Sequence, residues 1–184
     1  MKKLMIALAV VAMAAGVQAA SFTWKTKNGQ YVYQAGTTTK LPSGTAYIFD
    51  QASVSQQSLI NALVAGTLDL STAGSLDHLS LNGSSGISVG DAVTYGTAEQ
   101  TYNMFFAIVD SGKLYLSDVQ EYVAPATAAA VQLQFSPKTS SQLAALDATA
   151  GYKAAGWYTA VPEPTSGLLL LLGVAGLALR RRRA

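Results

Sequence analysis

Residues 101–109 read TYNMFFAIV, an apolar run with aromatic and branched side chains at adjacent as well as alternate positions. Side chains of an extended chain alternate between faces, so Tyr102, Met104, Phe106 and Ile108 share one face and Phe105, Ala107 and Val109 the other. A strand apolar on both faces needs cover on both, which predicts the centre of a packed sheet. Asp110-Ser111-Gly112 then supplies a turn, and residues 113–123 are expected to return as the second arm of a hairpin.

Outward from this strand the pattern stays mostly β. Residues 21–35 read as a further hairpin: Phe22 and Trp24 alternate with polar residues, Asn28-Gly29 is a type I′ turn pair, and Tyr31 and Tyr33 continue beyond it. Leu41-Pro42-Ser43-Gly44 is expected to be a turn leading into a central strand at 45–50. Short strands are expected near 79–81, 87–89 and 92–95, with a tight turn at Asn82-Gly83. Val131, Leu133 and Phe135 alternate with polar residues as a half-buried strand does, and residues 156–160 (GWYTA) suit a final strand. One helix is marked by capping-box spacing at Ser53-Val54-Ser55-Gln56, helical recurrence of Leu59, Ile60, Leu63 and Val64, and a closing Gly66. A second short helix is expected over 140–148. The fold class is therefore mainly β, a small β-sandwich-like domain with one or two short helices.

The two ends of the chain differ from this middle. Lys2 and Lys3 precede an uncharged, Ala-rich run, and Val17-Gln18-Ala19 offers small side chains for a signal peptidase. This order is that of a secretory signal peptide, with cleavage expected between Ala19 and Ala20. At the other end Val161-Pro162-Glu163-Pro164 is held extended by its prolines. Thirteen uncharged residues, 167–179, follow, and then Arg180, Arg181, Arg182 and Arg183. As a helix that run spans only ~20 Å, short of a ~30 Å hydrocarbon core. It makes a marginal anchor whose arginines resist translocation, and so it suits a pause in the inner membrane better than permanent residence.

Pro162-Glu163-Pro164, the leucine-rich run and the arginine cluster together resemble the PEP-CTERM sorting signal of Gram-negative bacteria. The resemblance covers residues 161–184 and is supported by the signal peptide. It implies transient inner-membrane insertion, recognition by an exosortase-type membrane protease, and transfer to the cell surface, outer membrane or an extracellular exopolysaccharide matrix. The expected organisation is a signal peptide (1–19), a β-rich exported domain (20–160) and a sorting segment (161–184) with a short transmembrane helix. The expected processing partners are the Sec machinery, signal peptidase and the exosortase.

Charge excludes one class of partner. The formal charge of +2 owes six of its twelve positive side chains to Lys2, Lys3 and the terminal arginines, whereas residues 20–160 sum to −3 with no basic cluster. Nucleic-acid binding has no electrostatic footprint in such a domain. There is no cysteine, so disulfides and thiolate metal sites are excluded.

Catalytic and cofactor motifs are lacking. His78 beside Asp77 has no nucleophile elbow to serve and too few companions for a zinc site, and it reads as a structural or solvated residue. Asp50, Asp69, Asp77, Asp91, Glu99, Asp110, Asp118, Glu121 and Asp147 are dispersed, and they read as turn and surface residues. No cofactor and no metal is expected. The suggestive group is aromatic: Trp24, Tyr31, Tyr33, Tyr95, Tyr102, Tyr115, Tyr122, Tyr152, Trp157 and Tyr158, serving either packing or stacking on sugar rings. The functional expectation is a non-enzymatic surface or matrix protein in contact with exopolysaccharide. The alternatives are a small hydrolase of envelope polymers and a surface subunit that self-assembles through a strand edge.

Overall fold

The central strand is β6, Thr101–Asp110. In the computed structural model, which describes residues 20–82, 86–127, 129–137 and 144–160, it pairs antiparallel with β2 (Ser43–Asp50) on one side. On the other it pairs with both β7 (Lys113–Leu116) and β8 (Gln120–Val123). The main sheet runs β10 (Leu146–Asp147), β11 (Gly156–Thr159), β7, β6, β2, β3 (Asp77–Asn82), β4 (Gly86–Ile87). A second sheet has β1 (Ser21–Thr26) between β5 (Val93–Thr94) and β9 (Val131–Phe135).

Both faces of β6 are covered, as its sequence requires. Met104, Phe106 and Ile108 meet Phe22 and Trp24 of β1 and Leu133 and Phe135 of β9 in the core between the sheets. Phe105 and Ala107 meet Phe49, Leu114, Leu116 and Tyr158 on the outer face, under the helix α1 (Gln56–Val64). The described residues thus form a mainly β sandwich with one α-helix on its outer face. Rings dominate the inner core: Trp24 and Phe135 meet edge-on at 6.3 Å, and Phe106 and Phe135 at 5.2 Å.

β7 and β8 are one returning arm interrupted by a bulge. Ala107 pairs with Leu116 and Met104 with Gln120, so Ser117, Asp118 and Val119 stand opposite only Phe105 and Phe106. Ser117 repairs the ladder: its amide donates to the Phe106 carbonyl at 2.9 Å, and its Oγ accepts the Phe106 amide at 2.9 Å. The Ser117 carbonyl, turned away, accepts from the buried Gln56 amide at 2.8 Å and ties the start of α1 to the sheet.

Several local expectations are corrected. The hairpin at 21–35 does not form. A type I′ turn needs positive φ at both central residues; at Asn28-Gly29 only Gly29 has it (φ 77°), so the chain departs and β1 instead pairs parallel with β9 and antiparallel with β5. The type I′ geometry lies at Ser111-Gly112 (φ 50° and 73°), between the paired Asp110 and Lys113. Leu41-Pro42-Ser43-Gly44 is no turn: Ser43 and Gly44 already belong to β2. The helix is capped by Ser55, whose Oγ accepts from Ser58 N at 3.0 Å, not by Ser53. Its end is as expected, with Gly66 N bonded to Leu63 O and Thr67 N to Ala62 O, a Schellman closure. In the described part of 140–148 there is no α-helix but β10, followed by a 3-10 turn at Ala148–Ala150. The second residue of the Asn82-Gly83 turn lies outside the described residues.

Candidate functional site

The positions named for sorting, Pro162, Glu163, Pro164 and Arg180 to Arg183, lie outside the described residues, as does Ala19 of the expected signal cleavage site. Among the described residues no helix is long and apolar enough to cross a membrane. What can be placed is where each end meets the fold. Ala20 is fully buried, and its carbonyl accepts from Tyr95 N at 2.9 Å. Tyr95 in turn bonds to Asp50, whose register partner Met104 lies in the half of β6 nearer Thr101. At the far end of β6, Asp110 pairs with Lys113, which pairs with Thr159 of β11. The chain therefore enters near one end of the sandwich and leaves at the other, beside the Ser111-Gly112 turn.

His78 and Asp77 point to opposite faces of β3. Asp77 faces inward and accepts the Trp24 indole N–H at 2.8 Å. His78 faces outward, exposed, opposite Tyr47 in the ladder, with the two rings 5.8 Å apart. The adjacent pair is therefore no dyad. Three other carboxylates accept hydrogen bonds: Asp69 from Ser71, Asp147 from Thr149, and Asp50 from the Ala52 amide and the Tyr95 hydroxyl. Among the described residues no three His, Cys, Asp or Glu gather as metal ligands do.

The aromatic group divides. Trp24, Tyr115, Tyr122, Trp157 and Tyr158 are buried in the two cores and are unavailable to a ligand. Tyr95 and Tyr102 are half-buried beside a cleft of about 450 Å³ lined by Asp50, Gln51, Ala52, Thr101, Tyr102 and Asn103. Their hydroxyls are committed: Tyr95 donates to Asp50 Oδ2 at 2.7 Å and Tyr102 accepts from Thr97 N at 2.8 Å. Burial, helped by the Asp50 hydrogen bond, pushes the Tyr95 hydroxyl up to about 12. Tyr31 lies under the Lys40 ammonium, 3.4 Å from its ring centroid.

Tyr47 belongs to the accessible aromatics but escaped the sequence reading, submerged in the apolar strand TAYIFD. Its signal was parity: Ala46 and Ile48 are buried inward, so Tyr47 must face out. It borders a second groove of about 320 Å³, lined with Thr45, Leu68, Asp69, Leu70, Ser71 and Val109.

Residues 160–183 match the family model described as the PEP-CTERM protein-sorting motif. No curated protein and no solved structure matches the chain. The motif begins one residue past β11 and marks a protein that is exported, held in the membrane for sorting, and processed by an exosortase-type membrane protease on its way to the surface.

Proposed function

We propose that this exported chain, bearing a PEP-CTERM sorting motif, is a non-catalytic surface or matrix component whose sandwich contacts exopolysaccharide. The observation that carries the reading is the junction of motif and fold: the match starts at residue 160, directly after Thr159 of an interior sheet strand. The protein delivered to the surface is then the sandwich itself, with at most a few residues of tail. The separation of His78 from Asp77 and the engagement of Asp50, Asp69 and Asp147 in hydrogen bonds within the fold favour binding over hydrolysis.

Intact mass of the protein from its native host tests the reading. The expected mass lacks residues 1–19 and the segment beyond the Pro-Glu-Pro motif. A mass that still includes residues 165–184 would overturn the exosortase reading. Retention of the protein on the host's own extracellular polysaccharide tests the other half, and its absence would remove the exopolysaccharide contact.

A further inference from the structure

We infer that the groove between Tyr47, Asp69 and Val109 on the outer face of the main sheet is a binding site for a neutral sugar unit of a polysaccharide. This rests on the surface-component reading above and gives it a place on the molecule.

The groove combines the two features sugar recognition needs, an accessible ring and hydrogen-bonding groups fixed beside it. The half-buried Tyr47 is set by its strand: inward neighbours Ala46 and Ile48 lock the backbone, and the cross-strand His78 ring lies beside its own, tilted by 31° at 5.8 Å. Its hydroxyl is engaged by no described residue, unlike those of Tyr95, Tyr102, Tyr122 and Tyr158. A ring with an apolar face and a free polar tip suits a ligand that is itself apolar on its C–H faces and polar at its rim.

Asp69 supplies the acceptor. Its Oδ1 takes both Ser71 bonds, from the amide at 2.9 Å and the hydroxyl at 2.6 Å, and Thr72 adds hydrogen bonding to the same carboxylate, which orients it beside the groove with lone-pair capacity left for a sugar hydroxyl. Those bonds hold its carboxyl below the usual carboxylate range, so it is charged at neutral pH. Among the described residues no lysine or arginine lines the groove. A negative wall without a cation disfavours uronic acids and other anionic sugars and is compatible with a neutral one. Val109, 43% exposed, and the half-buried Leu68 form the apolar border. At about 320 Å³ the groove sits at the low end of the ~300–1,000 Å³ range of small-molecule sites, room for a single sugar unit.

The test uses the processed protein on an array of neutral and uronate-containing bacterial polysaccharides, followed by NMR titration with an oligosaccharide of the best-bound polymer. Binding to neutral polymers is expected, with shifts centred on Tyr47, Asp69 and Val109. Tyr47→Ala should weaken binding about tenfold, as loss of one ring contact implies, while Tyr47→Phe retains most of it. Val109→Arg, at a position outside both cores, should block the groove while leaving the melting temperature unchanged. Neutral-polymer binding that survives both Tyr47→Ala and Val109→Arg would overturn the groove and leave the surface-component reading standing. Preference for uronate polymers would overturn the assignment of a neutral ligand. Absence of binding to every polymer would overturn the groove and the polysaccharide contact together, while the mass test of sorting stands apart.

Discussion

The Trp24 indole N–H donates to Asp77 Oδ2 at 2.8 Å, joining β1 of the small sheet to β3 of the main one. Trp24 is fully buried, so its N–H has no water to turn to if the carboxylate is lost. Asp77→Ala should cost about 1–3 kcal/mol, the range for a buried donor left unpaired. Asp77→Asn, which keeps an acceptor, should cost less. Urea denaturation of the three proteins checks this; equal losses in the two variants would refute the role of the bond.

Ser117 stands in for a strand carbonyl at the bulge, accepting the Phe106 amide on its hydroxyl. Ser117→Ala leaves that buried amide unpaired and should also cost about 1–3 kcal/mol. Hydrogen exchange gives a local readout: the Phe106 amide should lose protection ahead of its neighbours in β6.

Gly86 adopts φ 75°, and a Cβ there would lie 2.5 Å from Thr26 Oγ1 and 2.8 Å from the Gln30 carbonyl oxygen. The left-handed backbone alone costs about 1–2 kcal/mol for a residue with a side chain. Gly86→Ala should exceed that, because the Gln30 backbone cannot swing aside as a side chain could. Gly112→Ala has open space around its Cβ and should show the backbone cost only. Paired melting curves of the two variants separate strain from clash.

Alkali should loosen the Asp50–Tyr95 contact. The Tyr95 hydroxyl is raised from 10.0 to about 12 in the fold, by burial first and by its bond to Asp50 second. A raised value means the folded state holds the proton more tightly than the unfolded one. The stabilisation is complete below pH 10 and is lost as pH climbs from about 10 through 12. Tyr95→Phe should flatten the stability profile in that window, measured by denaturation at fixed pH steps.

Glu163→Gln keeps the size of the side chain and removes its charge. Expressed in the native host, this variant should accumulate with residues 165–184 attached, seen as a higher intact mass. Normal processing would show that the carboxylate is not read.

Local patterns carried much of this fold in the sequence. The double-faced run 101–109 announced a covered central strand, and β6 is one. Gly66 marked the end of the helix because a left-handed closure favours glycine. Asn28-Gly29 misled, since a turn pair fixes a reversal but not what the chain pairs with afterwards. β9, more than a hundred residues away, took the ladder edge that Tyr31 and Tyr33 were expected to fill. The bulge at Ser117 left no legible mark, because its logic is a hydroxyl replacing a carbonyl across two strands.

Export and sorting were written in the sequence itself, since those signals are short, local segments read by machinery that needs no folded domain. Length, charge order and two prolines suffice for that. The role of each ring was not. Trp24 and Tyr47 are both aromatic residues in alternating strands, yet one is sealed between sheets and bonded to Asp77 while the other lines an open groove beside Asp69. Only the parallel pairing of β1 with β9, and the docking of that sheet on one face of β6, decided which rings were buried and which stayed accessible.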